Sequence, residues 1–265
     1  MRILLTNDDG IDAPGIEAMY DALCAVPALG EVVAIAPHTV QSATSHGITF
    51  HDPLMVREVV VNDRMKGTSV DGRPADCVKL ALRGIWQERF GAGSLPDLTI
   101  SGMNSGANVG INVIYSGTVA AAVESAFLGV PAIAVSLHIG DSGRTHYGRA
   151  AWIARQTIDR VLQHPLEPHN VININVPVTQ TADAPMPPIK VVSMNTAPGS
   201  DDYERRVSPM GQVYYWARGS GMEFTHTAPQ SDVEALMQRC VTVTPLGYAL
   251  TDVSKLDAWR ERLRG

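Results

Sequence analysis

The chain lacks most of the features that would place it in the commoner functional classes. It has three cysteines in 265 residues, Cys24, Cys77 and Cys240, far apart and with no CxxC spacing. That argues against a disulfide framework or a cysteine zinc cluster, and free thiols suit a reducing cytoplasm. Long apolar runs are missing. Ile3-Leu4-Leu5 is too short for a signal-peptide core, and Phe127 to Leu137 is broken by Gly129, Pro131 and Ser136. A membrane helix needs ~20 apolar residues. A soluble, cytoplasmic protein without a membrane partner is expected. Positive charge is scarce, with 21 Lys and Arg against 27 Asp and Glu for a net −6. No nucleic-acid polymer is therefore expected as a partner, although a few backbone donors or one cation can still reverse the sign locally. The eight histidines form neither HxxxH nor HExxH, and GxGxxG, GxxxxGK[ST] and GxSxG are all absent. The dinucleotide, Walker and serine-hydrolase fingerprints therefore have no support.

What is present is an alternation of strand-like and helix-like segments. The length suits one large α/β domain or two small ones. Arg2 to Thr6 reads as a buried strand, and Pro14-Gly15 opens a helix carrying Ile16, Met19, Tyr20 and Leu23. Glu31 to Ala36 is a second strand, so the chain starts a parallel sheet. Residues 48 to 72 are β-rich, and Ile48–Phe50, Leu54–Val61 and Thr68–Val70 are expected as hairpins or a sheet edge. A helix from Pro74, strands at Leu98–Ile100 and Pro131–Leu137, and a helix over Val119–Leu128 capped by Gly129 follow. Tyr147–Leu162 has helical spacing and Val171–Val176 is a strand. Beyond Pro177 the composition shifts. Lys190–Ser193, Gln212–Trp216 and Cys240–Thr244 read as strands, and Leu256–Leu263 as a closing helix.

Asp8 and Asp9 stand at the carboxyl end of the first strand, where open α/β sheets bind ligands. Two carboxylates that converge repel each other unless a proton or a hard cation such as Mg²⁺ or Mn²⁺ lies between them. Equally, Asn7, Asp8 and Asp9 can cap the next helix or make an Asx-turn. Ser42 lies in the second strand-end loop, Pro37 to His46, as a metal or phosphate donor or as plain loop. Ser101 to Thr118 holds four glycines and three asparagines between a strand and a helix. Ser116-Gly117-Thr118, just before that helix, suits a phosphate cradle, and Asn104 a neutral oxygen ligand. The bland reading is a structural loop with a capping threonine. Asn108 and Asn112 are ligands or turn residues. His46 and His51 lie near the second loop and read as solvated or structural. Tyr214-Tyr215-Trp216 suits base stacking, strand packing or a subunit contact.

Several of these segments match one family in order along nearly the whole chain. They are N-D-D-G followed by A-P-G (Asn7–Gly10, Ala13–Gly15), the loop serine after A-P (Ser42), S-G-M-N-S-G-A-N-V-G (Ser101–Gly110) and Y-S-G-T-V (Tyr115–Val119). P-A-D-C-V (Pro74–Val78), N-I-N-V-P (Asn173–Pro177), Y-Y-W (Tyr214–Trp216) and V-T-P-L (Val243–Leu246) follow. The chain resembles the SurE family, the stationary-phase survival nucleotidases. The resemblance implies an α/β fold: a Rossmann-like, three-layer core with a mostly parallel sheet, here residues 1–177. It also implies a β-rich extension, residues 178–265, exchanged between subunits of a homodimer or homotetramer and not an independent domain. It implies a metal-dependent phosphomonoesterase acting on nucleoside 5′-monophosphates and 3′-monophosphates. One divalent cation per subunit, Mg²⁺ or Mn²⁺, would be held by Asp8, Asp9, Ser42 and Asn104. Asp8 and Asp9 would be catalytic, and Asn104, Ser116, Gly117 and Thr118 would bind substrate. The sequence departs from the family at Arg73, where threonine is usual, and at His38, where an acid is common.

Two rivals stand beside this reading. An aspartyl-phosphate phosphatase also places Asp at the end of a first strand, but needs D-x-D, and Asp8 and Asp9 are adjacent. A non-catalytic nucleotide-binding module explains the glycine loop but leaves two carboxylates beside a bound anion.

Overall fold

In the computed structural model, residues 1–25, 28–140, 145–200, 202–219 and 221–264 are described. The strands are β1 (Arg2–Thr6), β2 (Glu31–Pro37), β3 (Val56–Val60), β4 (Lys66–Val70), β5 (Leu98–Ser105), β6 (Ala132–Leu137) and β7 (Val171–Val176), then β8 (Ile189–Val191), β9 (Asp202–Val207), β10 (Val213–Arg218) and β11 (Val241–Leu246). The helices are α1 (Pro14–Cys24), α2 (Pro74–Leu80), α3 (Trp86–Phe90), α4 (Gly117–Phe127), α5 (Tyr147–Val161), α6 (Asp232–Met237) and α7 (Leu256–Arg262). A π-helical stretch, Ala81–Ile85, joins α2 to α3.

Nine strands form one sheet in the order β3-β4-β2-β1-β5-β6-β7-β11-β8. The six strands β4, β2, β1, β5, β6 and β7 pair in parallel. β3 and β11 run antiparallel to their neighbours β4 and β7. The chain runs outward from β1 through β2 to β4, then returns to the other side of β1 at β5. The order therefore reverses between β1 and β5, and the crevice at that reversal is where such sheets bind ligands.

The run Ile3-Leu4-Leu5 is apolar without alternation because both faces of the sheet are covered. Ile3 and Leu5 pack with Ile16, Met19 and Leu23 of α1 and Ile153 and Ile158 of α5. Leu4 points the other way, to Cys77 and Val78 of α2, Leu82 and Trp86. The result is three layers, α/β/α. Beyond residue 177, β8 and β11 extend this sheet, whereas β9 and β10 pair with each other as a separate antiparallel ribbon.

The expected strand at Ile48–Phe50 does not form. The Thr49 N–H and hydroxyl both donate to the Asp76 carboxylate, at 2.8 Å each, so a side chain takes the backbone group a ladder would need. Sequence reading also passes over β9 and α6. β9 is charged and exposed, with no apolar period to detect, and α6 has only six residues.

Candidate active site

β1 ends at Thr6 and the chain turns sharply. The buried Asn7 donates its amide to Gly10 O at 2.7 Å, and Gly10 sits at φ +102°, a conformation glycine adopts freely. Ala13 precedes α1 without a side-chain cap, so neither aspartate serves as a helix cap. They are used elsewhere. Asp8 is 5% exposed and accepts a 2.5 Å hydrogen bond from the Thr118 hydroxyl, at the N-terminus of α4. Asp9, half-buried, accepts the Ser105 N–H at 2.8 Å, at the end of β5. The two carboxylates thus bridge the reversal point of the sheet and bind the neighbouring strand and helix together.

Burial raises the Asp8 carboxyl from 3.8 to about 6. The Thr118 hydrogen bond pulls it down, and the adjacent Asp9 charge pushes it up. Asp8 is therefore a carboxylate short of positive charge.

The other expected site residues arrive by separate routes. Gln41 N–H donates to Asp8 O at 2.7 Å, which brings the second loop to the first and sets Ser42 one residue beyond the tether. Ser42 is exposed. Asn104 turns its amide nitrogen to Gly106 O at 2.7 Å. Asp9 Oδ1 and Asn104 Oδ1 are then left without a hydrogen-bond donor among the described residues. Among those residues no group of three His, Cys, Asp or Glu is placed to hold a metal ion. The donor set here is instead two carboxylates, an amide oxygen and a hydroxyl.

Ser116 caps α4, its Oγ accepting the Val119 N–H at 3.1 Å. Capping therefore belongs to Ser116 and not to Thr118: Ser116 Oγ accepts from Val119, whereas the Thr118 hydroxyl donates to Asp8. The helix N-terminus is the feature here that favours an anion. Gly117 lets the start of α4 pack closely against Asp8 and Pro74. A β-carbon there would lie 2.9 Å from Asp8 Cβ, 3.0 Å from Asp8 Oδ2 and 3.0 Å from Pro74 Cγ.

Asn108 and Asn112 are occupied structurally. The buried Asn108 donates to Ser136 Oγ at 2.8 Å, its N–H donates to Asn175 Oδ1 at 2.8 Å, and its carbonyl accepts from Asn173 and Asn175. This network explains the two asparagines of N-I-N-V-P: they hold the glycine loop from β7. Asn112 donates to Gly221 O. Tyr214, Tyr215 and Trp216 lie exposed on the ribbon, and His51 is exposed. The unusual Arg73 precedes α2 and donates to Ile48 O at 3.3 Å.

Two residues that sequence reading missed shape the site. Asp232 is fully buried and accepts the N–H groups of Gly110, Asn195 and Val233, pinning the glycine loop to the C-terminal segment. Nothing local in the sequence marks it. Glu124, 4% exposed, meets His46 and Lys79. Here a signal existed, because Glu124 is the one charged residue in Gly117–Leu128.

Known proteins resemble this chain over nearly its whole length. The family model for Survival protein SurE matches residues 3–201. The 5′-nucleotidase SurE of Rhodopirellula baltica is 42% identical over 266 residues, covering 99% of this chain and 100% of its own. That of Carboxydothermus hydrogenoformans is 39% identical over 273 residues, covering 100% of this chain and 98% of its own. The crystal structure of SurE protein from Aquifex aeolicus superposes with a TM-score of 0.81 at 32% identity, covering 99% of both chains. With full-length similarity in sequence and in overall structure, the chain belongs to the SurE family.

Proposed function

We propose that the protein is a divalent-cation-dependent 5′-nucleotidase that hydrolyses nucleoside 5′-monophosphates, and 3′-monophosphates, to nucleoside and phosphate. The observation that carries the reading is that Asp8 lies at the N-terminus of α4 with the charge of Asp9, held at the end of β5, close beside it. An anion could not approach two ionised carboxylates without a cation between them. The residues fit such an ion. Asp8 is buried with too little positive charge around it, Asp9 Oδ1 and Asn104 Oδ1 have no donor, and all the donors are hard oxygens. We assign Asp8, Asp9, Ser42 and Asn104 as its ligands, and Mg²⁺ or Mn²⁺ as the ion. When bound, the cation supplies charge neutralisation and Lewis acidity toward a phosphate oxygen.

The remaining work falls to the chain. The backbone of Ser116, Gly117 and Thr118 receives the other phosphate oxygens, where the helix N-terminus favours the charge that develops in the transition state. Thr118 holds the Asp8 carboxylate in one orientation and Ser105 holds that of Asp9. One of the two orients the attacking water. The names of the relatives, 5′-nucleotidase SurE, support the substrate class.

Among the described residues no helix is long and apolar enough to cross a membrane, and we place the protein in the cytoplasm. We propose residues 1–177 as the catalytic unit and 178–265 as the element that makes the dimer or tetramer. The exposed Tyr214, Tyr215 and Trp216 of the β9–β10 ribbon would be covered by a second copy of the chain.

The deciding assay is phosphate release from nucleoside 5′-monophosphates by purified protein with Mn²⁺. Release is expected. Nucleotide binding without release would establish the non-catalytic module instead, and a trapped phospho-Asp8 would establish the covalent route. A second prediction concerns the cradle. Overpacking at Gly117→Ala is expected to cost about 1–3 kcal/mol at the Asp8–α4 contact. We expect at least about a tenfold loss in kcat/KM, with the fold intact by circular dichroism. Wild-type kinetics in that variant would show that turnover does not depend on the close Asp8–α4 contact.

A further inference from the structure

We propose that Glu124, acting through His46, is a positioning residue that fixes the Ser42 loop for cation binding. The proposal rests on the ligand set given above. Glu124 lies seven residues beyond Gly117, about two turns or ~10 Å down α4, so it does not touch the reacting atoms. It is nonetheless a buried carboxylate in a helix that is otherwise uncharged. A buried charge is costly and persists only with partners. Its partners come from two different elements. His46 Nε2 meets Oε2 at 2.8 Å, and Lys79 Nζ of α2 stands 3.4 Å from Oε1. Burial alone would raise the carboxyl, but these two groups outweigh it and hold it below its usual range.

The loop between Pro37 and His46 shows why such a clamp is needed. Ala43 and Ser45 adopt φ of 55° and 53°, left-handed conformations that non-glycine residues reach at a cost. Ser42, immediately before them, is exposed and has no hydrogen-bond partner among the described residues. Its position is therefore dictated by the fastenings on either side. Before it stands the Gln41 N–H to Asp8 O bond. After it, Ser45 bonds Tyr115 O through its N–H at 3.0 Å and Ile114 O through its hydroxyl at 2.8 Å, and His46 locks onto Glu124. The loop is thus stretched between the first aspartate and the body of α4. Lys79 pairs with the same carboxylate from α2 and not from the loop, which separates a positioning role from a purely structural one.

The test is Mn²⁺ affinity, read from the free-ion electron paramagnetic resonance signal, in the full-length protein. Groups hydrogen-bonded to a metal ligand typically alter affinity by ten- to a hundredfold, and Glu124 and His46, which act on Ser42 through the loop backbone, belong at the low end of that range. Glu124→Gln and His46→Ala are expected to weaken Mn²⁺ about tenfold, and Lys79→Met, losing a half-exposed ion pair, less than about twofold. In a Ser42→Ala background, Glu124→Gln should add nothing further. Equal weakening by Lys79→Met and His46→Ala, or an additive double variant, would overturn the proposal. Unchanged Mn²⁺ affinity in Ser42→Ala would instead remove Ser42 from the ligand set, and the positioning role with it. If Glu124→Gln does not fold, His46→Ala against Lys79→Met decides the matter, since both side chains are partly exposed.

Discussion

Asp8→Asn is expected to make the cation-free protein more stable at pH 8 while removing its turnover. The sign follows from linkage. Unfolded, Asp8 ionises near 3.8; folded, burial first and then the Asp9 charge hold it near 6 despite the Thr118 hydrogen bond. The folded state therefore binds a proton that the unfolded state gives up. That contribution to stability is present below pH 3.8 and lost as pH rises through 6. At pH 8 the ionised, buried carboxylate costs about 3 kcal/mol. Asparagine keeps the shape and can still accept from the Thr118 hydroxyl, so the cost disappears. For a chain of this size the melting temperature should rise by roughly 5 °C in the presence of chelator at pH 8, and by much less at pH 4. Scanning calorimetry at both pH values checks this. A fall in stability at pH 8 would mean that Asp8 has positive charge near it that the structure does not show. Such trade-offs are common where a site is assembled against the preferences of the fold.

Chelation should be equally decisive for activity. Removing divalent cations is expected to reduce phosphate release from nucleoside 5′-monophosphates to background, with Mn²⁺ or Mg²⁺ restoring it. Asp9→Ala should lose at least about a hundredfold in kcat/KM, because a direct ligand matters at least as much as the groups that support one. Added cation should not rescue it fully. Its fold should survive, since Asp9 is half-buried and its loss frees the N–H of Ser105, itself a half-buried residue. Full turnover in chelator would sink the cation-dependent reading, whereas a chelator-sensitive Asp9→Ala with wild-type kinetics would reject that residue alone.

The sheet was legible because its signals are local. Arg2–Thr6 forms as read, since Ile3-Leu4-Leu5 is an apolar run covered on both faces, and Val171–Val176 forms as read from its β-branched residues, with Asn173 and Asn175 between them. Pro14 and Pro74 each open a helix at the first turn. The site was legible in part. Asp8, Asp9, Asn104 and the Ser116–Thr118 segment lie where the ends of strands and the start of a helix were expected. Their division of labour was not. Capping goes to Ser116, and Thr118 turns inward to Asp8, a choice set by a partner 110 positions away.

By itself the amino-acid order determined most of the sheet's strands, the helices that Pro14 and Pro74 open, and that oxygen donors gather near the sheet's carboxyl edge. Periodicity and turn chemistry act over a few neighbouring residues and can be read without knowing the fold. Only the tertiary structure decided that Asp8 is buried and short of positive charge, that Asp232 pins the glycine loop, and that His46 finds Glu124. Desolvation and ion pairing depend on which distant groups share a low-dielectric space, and that is set by how the elements pack.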